Sequence, residues 1–442
     1  MSKPIVAIVG RPNVGKSTLF NGLAGENISI VKDTPGVTRD RIYADVRWLN
    51  WSFTLIDTGG IEPESRDVIL SQMREQAMIA IETADVILFL TDVRQGLTDA
   101  DAKVADMLRR SGKPVVLAVN KVDNFSRQMM DVYEFYNLGL GEPHAISAAG
   151  KLGLGDLLDV VAERFPEREE EDGENEIPRI AIVGKPNVGK SSIINKLLGQ
   201  NRVIVSDVAG TTRDAIDTNV RWNGKDYIFI DTAGLRRKSR VSEELERYSI
   251  IRTVSAVERA DVVILVIDAV EGVTEQDAKI AGIAHDRGKG IIIAVNKWDA
   301  VEKNDKTVKE YSERIRSVLS FMPYAEILFV SAVTGQRLPR LFDTIDVVLE
   351  NQTLRVATGV LNEILTEAVA MQQPPSDKGR RLKIFYMTQV AVKPPVFVVF
   401  VNEKKLMHFS YLRYLENKIR EAFGFRGTAL KFIVRERKEK EA

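Results

Sequence analysis

The octet Gly-Arg-Pro-Asn-Val-Gly-Lys-Ser at residues 10–17 is suited to binding phosphate, and the chain contains it twice. Residues 184–191 repeat it with Lys185 in place of Arg11. Each copy follows a short apolar run and opens a helical pattern, which is the strand, loop and helix context of a P-loop. A plain Gly-rich turn between a strand and a helix is the alternative. The duplication, with Lys-Ser in register both times, argues against that alternative.

We predict that both octets surround nucleotide phosphates, because their glycines let backbone N–H groups turn inward and a helix N-terminus adds favourable partial charge. Lys16 and Lys190 would reach the β and γ phosphates. Ser17 and Ser191 would hold Mg²⁺. The other loop residues are Gly10, Arg11, Pro12, Asn13, Val14 and Gly15 in the first copy, and Gly184, Lys185, Pro186, Asn187, Val188 and Gly189 in the second.

A second pair of motifs offers groups for Mg²⁺ and the γ-phosphate. The motifs are Asp57-Thr58-Gly59-Gly60 and Asp231-Thr232-Ala233-Gly234. Each Asp would approach Mg²⁺ through a water, and the amide of Gly60 or Gly234 can bond the γ-phosphate. Thr38 and Thr212 precede these motifs and can complete the Mg²⁺ shell. Loss of the γ-phosphate would let these segments relax, as a switch requires.

A third pair of motifs is typical of guanine recognition. Asn120-Lys121-Val122-Asp123 recurs as Asn296-Lys297-Trp298-Asp299. Guanine presents two adjacent N–H donors that one carboxylate can accept, whereas adenine would leave the Asp123 carboxylate unpaired. The Lys stem can pack over the base. Backbone N–H groups after the fifth strand can bond guanine O6, in Ser147-Ala148 and in Ser331-Ala332.

Neither predicted site carries a side chain suited to orienting the attacking water. The residues after Gly60 and Gly234 are Ile61 and Leu235, where Ras has a Gln. Hydrolysis is therefore expected to be slow unless positive charge lies near the β–γ bridge. The candidate side chains are Arg39, Arg213, Arg236 and Arg237, although a solvated loop face explains these arginines more simply. A monovalent cation bound by the amide oxygens of Asn13 and Asn187 is the other option, although each Asn could simply brace its loop.

The bulk composition is that of an ordinary globular protein. The 442 residues include 62 Lys and Arg and 62 Asp and Glu, so no global charge indicates nucleic acid or membrane. Cysteine is absent, which excludes disulfides and thiolate metal sites, and the three His residues are scattered. We find no leader pattern and no apolar run near the roughly 20 residues of a membrane span. We expect a cytoplasmic protein with no membrane partner.

The motif spacing indicates a duplicated domain. The offset is 174 between residues 10 and 184 and between 57 and 231, and 176 between 120 and 296. Such a constant offset indicates tandem duplication. Apolar runs at 5–9, 53–56, 86–90 and 115–119 alternate with helical patterns. This alternation predicts an α/β fold with doubly wound, mostly parallel sheets and ligands at the strand C-terminal ends. The predicted domains are 1–166 and 178–350.

The two repeats are joined by a strongly acidic stretch, predicted as a linker at 167–177. Residues 166–178 hold seven acidic residues, one Arg and no apolar period. Such a segment cannot bury enough surface to fold alone. We interpret it as a solvated linker, with recognition of a basic partner as the alternative.

Residues 351–442 have the pattern α-β-β-α-β, with helical spacing at 360–371 and 411–423. This segment has 17 Lys and Arg and 9 Asp and Glu, a charge of +8 against −8 for the remainder. The local excess favours RNA contact, with a solvated basic face as the alternative. The cations proposed for contact are Lys383, Lys404, Lys405, Lys431 and Arg435. Gly424-Phe425-Arg426-Gly427 matches the nucleic-acid clamp of KH domains, but a helix C-cap and a turn explain it equally well.

In the order and pairing of these motifs, the acidic linker and the small basic tail, the chain closely resembles the bacterial Der (EngA) family of double GTPases. The resemblance covers essentially the whole chain. It implies a KH-like C-terminal domain and GTP hydrolysis, with GTP, GDP and Mg²⁺ as ligands, coupled to late assembly of the large ribosomal subunit. Related GTPases that have an aliphatic residue after the Asp-Thr motif and Asn at the positions of Asn13 and Asn187 use K⁺, so the resemblance favours cation ligation by these two residues. We expect a monomer that contacts ribosomal RNA.

Two functional hypotheses follow, and a third is weaker. The first is a switch whose nucleotide state reorients the G domains and changes the surface offered to ribosomal RNA. The second is an RNA-docking scaffold in which GTP matters only through occupancy. A GTPase of tRNA modification or membrane transport would share the motifs but would need a cofactor domain or a membrane segment, neither of which the sequence indicates.

Overall fold

A computed structural model of the chain describes residues 3–26, 43–58, 66–166, 177–199, 203–206, 217–230, 244–374, 376–377 and 380–437. The chain divides into two compact units. One takes residues 1–174 and 241–258, and the other takes residues 175–240 and 259–442. None of the described helices is long and apolar enough to cross a bilayer.

The first unit is built on a six-stranded sheet in the order β2-β3-β1-β4-β5-β6. The strands are β1 (Ile5–Gly10), β2 (Tyr43–Trp48), β3 (Trp51–Asp57), β4 (Val86–Asp92), β5 (Val115–Asn120) and β6 (Pro143–Ala145). The helices are α1 (Lys16–Glu26), α2 (Arg66–Thr83), α3 (Asp99–Ser111), α4 (Phe125–Tyr133) and α5 (Leu154–Glu163). Only β2 and β3 pair antiparallel among these neighbours. Every residue of β1 and β4 is buried, as expected for strands covered on both faces.

The strand register brings the predicted motifs to one edge of this sheet. In the β1–β3 pair Ile8 lies opposite Asp57, and in the β4–β5 pair Asp92 lies opposite Asn120. These strands run parallel, so their C-terminal ends meet at the same edge. The loop from β1 to α1, which holds the first octet, begins there.

The second unit repeats this design in a seven-stranded sheet of order β13-β12-β11-β7-β10-β9-β8. The strands are β7 (Arg179–Val183), β8 (Val203–Ser206), β9 (Thr218–Trp222), β10 (Lys225–Ile230), β11 (Val262–Asp268), β12 (Gly290–Asn296) and β13 (Glu326–Phe329). Its helices are α6 (Lys190–Leu198), α8 (Glu275–Asp286), α9 (Thr307–Val318) and α10 (Arg340–Thr353), while α7 (Glu244–Arg259) belongs to the first unit up to residue 258. Asp268 lies opposite Asn296, as Asp92 lies opposite Asn120. The predicted α/β class with two mostly parallel sheets is confirmed.

The C-terminal segment of the second unit has the predicted α-β-β-α-β order. Its elements are α11 (Thr358–Met371), β16 (Ile384–Ala391), β17 (Val396–Val401), α12 (Phe409–Phe423) and β18 (Lys431–Glu436). Strand β17 pairs antiparallel with β16 and parallel with β18. The segment between α11 and β16 also contains a short antiparallel pair, β14 (Ser376–Asp377) with β15 (Arg380–Arg381).

The G-x-x-G segment at 424–427 is used inside the second unit. Gly424 is the C-cap of α12, and its N–H donates to the Arg420 carbonyl at 2.8 Å. The Gly427 N–H donates to the Tyr324 carbonyl at 2.9 Å, and the Gly427 carbonyl accepts from the Ile291 N–H at 2.7 Å. The explanation by a helix cap and a turn is therefore the one that the geometry supports.

Candidate functional site

The P-loop lysines rest on backbone carbonyls of their own loops. Lys16 Nζ donates to the carbonyls of Gly10 and Arg11, both at 2.7 Å. Lys190 Nζ donates to the carbonyls of Gly184 and Lys185 at 2.7 and 2.6 Å. The two octets therefore share one local geometry, with an ammonium group at the start of a helix.

Burial changes the acid–base behaviour of both lysines. Lys16 is only 6% exposed, and burial lowers the pKa of its ammonium to about 8, against a smaller opposing effect of the Asp57 carboxylate. Burial likewise lowers the pKa of Lys190 to about 8, with Asp277 opposing it. A cation in such a poorly solvated loop is attracted strongly to a phosphate.

Asn120 ties three parts of the first site together. This residue is buried at the end of β5, where its Nδ2 donates to the Val14 carbonyl at 2.8 Å and its Oδ1 accepts from the Ala148 N–H at 2.9 Å. Asn296 makes the same two contacts, with the Val188 carbonyl at 2.8 Å and the Ala332 N–H at 3.0 Å. The amide therefore fixes the P-loop against the Ser-Ala segment, and both of its polar groups are used by protein.

The lysine that follows each of these Asn residues is held by a carboxylate that sequence reasoning missed. Lys121 Nζ donates to Asp92 Oδ2 at 2.6 Å and to the Asn13 carbonyl at 2.8 Å. Lys297 Nζ donates to Asp268 Oδ2, also at 2.6 Å. Each Asp ends a buried strand, β4 or β11, but that position alone does not indicate its partner. These contacts lay the lysine stem across the strand edge.

The Asp123 carboxylate has two partners within the first unit. Its Oδ1 accepts from Ser147 Oγ at 2.7 Å, and its Oδ2 accepts from Arg94. The hydrogen bond from Ser147, followed by the contact with Arg94, holds the pKa of Asp123 below its usual range. In the second repeat the residue that corresponds to Arg94 is Val270, at the same offset of 176 that separates the two Asn-Lys motifs. The two sites therefore differ at this end.

Ser17 and Asp57 are brought together as a Mg²⁺ site requires. Ser17 Oγ lies 2.9 Å from Asp57 Oδ2, so one cation could engage both oxygens. Among the described residues no cluster of three or more His, Cys, Asp or Glu side chains could hold a metal. This oxygen donor set fits Mg²⁺, which keeps several waters and binds proteins through one or two side chains plus substrate phosphates.

The backbone conformation explains why Asn occupies one position in each P-loop, which the sequence alone did not show. Asn13 has φ 63° and Asn187 has φ 65°, in the left-handed region where Asn is enriched. Both side chains are exposed. Neither side chain makes a hydrogen bond to another residue in the described part of the chain, so the bracing role has no support there.

Several predicted residues have placements of lesser consequence. Thr58 is buried and donates to the Ile8 carbonyl, which joins β3 to β1. Asp299 is exposed in the short helix Trp298–Ala300, and Ser331 is fully buried. Val14 and Val188 are buried, whereas Pro186 is exposed. The predicted residues that lie outside the described part are Thr38, Gly59, Gly60, Thr212, Asp231, Thr232, Ala233 and Gly234, with Ile61, Leu235, Arg39, Arg213, Arg236 and Arg237.

Comparison with known families agrees with this arrangement. A family described as 50S ribosome-binding GTPase matches residues 5–121 and 179–297. A family described as KH-domain-like of EngA bacterial GTPase enzymes, C-terminal, matches residues 355–435. Each G-domain match runs from the first strand of a repeat through its Asn-Lys pair. The fold and its two loops thus define a P-loop GTPase with two G-domain regions and a KH-like domain.

Full-length relatives give the narrower assignment. GTPase Der of Agathobacter rectalis is 76% identical over 441 residues and covers 100% of both chains. GTPase Der of Lachnoclostridium phytofermentans is 76% identical over 439 residues, covering 99% of this chain and 100% of the relative. GTPase Der of Acetivibrio thermocellus is 60% identical over 441 residues, with 100% of both covered. The chain belongs to the GTPase Der family, and it is a GTP-binding, ribosome-associated GTP hydrolase.

Proposed function

We propose that this chain is a GTP-driven switch in assembly of the large, 50S ribosomal subunit, in which nucleotide state rearranges the G domains and alters contact with ribosomal RNA. The observation that carries the proposal is the combination in one chain of two alike P-loop sites with a basic KH-like domain. The printed description of the matching family, a 50S ribosome-binding GTPase, supports the choice of subunit. We propose a monomer acting in the cytoplasm, within the predicted domains 1–166, 178–350 and 351–442.

The phosphate end of each site would work through the P-loop lysine and serine. Lys16 and Lys190 each donate to two loop carbonyls. An ammonium group has a third N–H donor, which each lysine would direct to the β and γ phosphates while it stays on its loop. Ser17, Asp57 and Ser191 would hold Mg²⁺, which when bound offsets the charge on the phosphate oxygens. We keep Thr38, Thr212 and Asp231 as proposed Mg²⁺ ligands, and Gly60 and Gly234 as proposed γ-phosphate contacts.

The base end would recognise guanine through Asp123 and Asp299. In the first site guanine would take the place of Arg94 at the Asp123 carboxylate. Both partners of that ion pair are at least half exposed. Exposed pairs contribute little, so Arg94 is not expected to prevent guanine from binding. The Ala148 and Ala332 N–H groups, which here donate to Asn120 and Asn296, would donate to O6 when guanine binds.

Nucleotide affinity is expected to depend on pH through the two P-loop lysines. Their pKa is about 8 in the protein, and bound phosphate raises it because negative charge favours the ammonium form. Below pH 8 the lysines are protonated with or without nucleotide, so affinity stays constant. Above pH 8 binding must take up a proton, and the affinity of each site should fall up to about tenfold per pH unit.

Calorimetry at pH 9 in two buffers of different ionisation enthalpy would measure this proton uptake. About one proton per occupied site is expected for GDP. Guanosine, which lacks phosphates, is the control for ionisation of guanine N1 near this pH, and GDP should take up about one proton more per site than guanosine does. A GDP affinity that is constant from pH 7 to pH 9.5 would contradict the assignment of the lysines to the phosphates.

We propose K⁺ as the missing positive charge at the β–γ bridge, bound by the amide oxygens of Asn13 and Asn187. Asn13→Gly is the suitable variant, because glycine keeps the left-handed backbone and removes only the amide. In a chain whose second site is silenced by Lys190→Ala, this variant should lose the K⁺ stimulation of GTP hydrolysis. Asn13→Asp, which keeps an oxygen, should retain part of it. An unchanged ratio of rates in K⁺ and Na⁺ for Asn13→Gly would refute the ligand role.

Ribosomal RNA would be contacted by the basic KH-like domain. The five cations singled out in this domain, Lys383, Lys404, Lys405, Lys431 and Arg435, are all exposed. The G-x-x-G segment is not included, because its backbone already bonds to Tyr324 and Ile291. Exposed cations that neutralise phosphates make binding salt-dependent, so particle binding should weaken steeply between low and moderate salt.

Co-sedimentation with ribosomal particles tests the switch. The full chain is incubated with 50S particles under GDP, GTP and a non-hydrolysable analogue, beside Lys16→Ala and Lys190→Ala. Binding that requires GTP or the analogue, and that fails in one variant, would support the switch and identify the controlling site. Binding indifferent to nucleotide and to both substitutions would favour the scaffold instead.

A further inference from the structure

A buried ion pair anchors the second residue of the first P-loop. Arg11 Nε donates to Asp101 Oδ1 at 2.8 Å, and the Arg11 NH1 group donates to Gln95 Oε1 at 2.6 Å. The Arg11 side chain is 11% exposed and the Asp101 side chain 0%. Asp101 lies at the start of α3, outside every motif that pointed to nucleotide binding. A charge so deeply buried is found almost only where it is paired.

The second site contains the same pair in different residues. Lys185 Nζ donates to Glu271 Oε1 at 2.7 Å and lies 3.8 Å from Asp277 Oδ2. Glu271 and Asp277 follow Gln95 and Asp101 by 176 positions. Asp277 is also fully buried, and its Oδ1 has no hydrogen-bond partner among the described residues. In both repeats a carboxylate at the start of a helix, α3 or α8, thus lies within ion-pair distance of the cation, although in the second site the hydrogen bond itself goes to Glu271.

The carboxylate is itself held in place by the helix. Asp101 closes a capping box with Thr98, since its Oδ2 accepts from the Thr98 N–H at 3.3 Å and from Thr98 Oγ1 at 2.7 Å. Asp277 does the same with Thr274, at 2.9 and 2.8 Å. These hydrogen bonds restrict the carboxylate to one orientation, so the P-loop cation is paired with a group that is itself held in place.

The second P-loop residue, whose side chain contacts the helix, also contacts the P-loop lysine through its backbone carbonyl. The Arg11 carbonyl accepts from Lys16 Nζ at 2.7 Å, and the Lys185 carbonyl accepts from Lys190 Nζ at 2.6 Å. The residue whose side chain reaches the helix therefore also carries the carbonyl on which the lysine rests. A shift of Arg11 would move the group that sets the position of Lys16.

We propose that Asp101 and Asp277 are positioning residues for nucleotide binding and hydrolysis, each holding the second P-loop residue and through it the P-loop lysine. The inference deepens the proposed function and rests on it. The two connections differ in charge. Arg11 meets one carboxylate, whereas Lys185 faces both Glu271 and Asp277, and each connection leaves one buried polar group, Arg11 NH2 or Asp277 Oδ1, without a hydrogen bond in the described part of the chain.

A double-mutant cycle in the first site tests the proposal. In full-length protein with the second site silenced by Lys190→Ala, we would measure GDP affinity, kcat and KM for Asp101→Asn, Arg11→Met and the double variant. Each single variant should weaken GDP binding and lower kcat by about tenfold or more, because the lysine is displaced. The double variant should be no worse than the weaker-binding single variant, since both changes break one connection.

Two further variants separate positioning from simple stabilisation. Arg11→Lys with Gln95→Glu carries the second site's residues into the first and should restore GDP affinity to within about threefold of the parent. Asp106→Asn makes the same chemical change in the same helix, at an exposed pair with Arg110, and should leave affinity and kcat unchanged. Unfolding temperature is recorded for all.

The results that overturn the proposal are distinct from those that overturn the function. Arg11→Met with parental affinity and kcat, or single effects that simply add in the double variant, would refute the positioning role. So would variants that lose thermal stability while their folded fraction binds and turns over normally. A parent chain that bound no GDP would instead refute the proposed nucleotide site.

Discussion

Gly15→Ala is expected to weaken GDP binding at the first site by about 100-fold or more, with the second site unaffected. Gly15 has φ +98°, and an added Cβ would lie closer than 3.0 Å to Asn120 Nδ2. The strained backbone costs on the order of 1–3 kcal/mol, and losing the bond from Asn120 to the Val14 carbonyl costs about 1–3 kcal/mol more. A total near 3 kcal/mol corresponds to roughly two orders of magnitude in affinity.

Titration with a fluorescent GDP analogue, with Lys190→Ala present to isolate the first site, would measure this effect. Gly22→Ala is the matched control, because its added Cβ would meet nothing nearer than 3.9 Å. That variant lies within α1 and should bind GDP normally, since Ala suits a helix better than Gly. In a chain with Lys16→Ala instead of Lys190→Ala, Gly189→Ala should reproduce the loss at the second site, because its added Cβ would lie closer than 3.0 Å to Asn296 Nδ2. Normal GDP affinity in Gly15→Ala would show that the octet is not wrapped around the phosphates.

Gly427→Ala is expected to destabilise the second unit by about 2–4 kcal/mol. Gly427 has φ +68°, and an added Cβ would lie closer than 3.0 Å to the Val348 side chain, which is fully buried. The left-handed backbone costs a non-Gly residue roughly 1–2 kcal/mol, and overpacking costs about 1–3 kcal/mol. The same shift would disturb the bonds to Tyr324 and Ile291.

Chemical denaturation of the full chain would measure the loss, with Gly359→Ala as the control. An added Cβ at Gly359 meets nothing within 4 Å, so stability should be equal or higher. GDP affinity of the first site should be unchanged in Gly427→Ala. A variant as stable as the parent but unable to bind ribosomal particles would show that the G-x-x-G segment contacts RNA instead.

Much of the site could be predicted because its residues are consecutive in the chain. The octets, the Asp-Thr pair and the Asn-Lys pair each follow a buried apolar run, and parallel strands bring their ends to one edge. Ser17 beside Asp57 and Asn120 beside the P-loop follow from that topology. The α-β-β-α-β order of the C-terminal segment was equally accessible, because apolar periodicity is a local signal.

The connections between motifs were not accessible in this way. The contact of Asp92 with Lys121 joins residues 29 positions apart in the chain, and the contact of Asp101 with Arg11 joins residues 90 positions apart. Nothing in the local pattern separates such a carboxylate from the many charges on a solvated face. The left-handed backbone of Asn13 was hidden for a similar reason, since an Asn in a loop is compatible with several conformations.

The sequence alone determined that the chain holds two copies of a P-loop motif, each followed by an Asn-Lys-x-Asp motif predicted to select guanine, and a third, basic α+β segment. These properties depend on spacing and periodicity, which are written along the chain. Only the tertiary structure decided which groups hold the site in shape and that the G-x-x-G segment is spent on contacts within the second unit. Those outcomes depend on which distant side chains come into contact. A buried polar group loses its hydration and needs hydrogen-bond partners to offset that loss, so the folded chain determines its contacts.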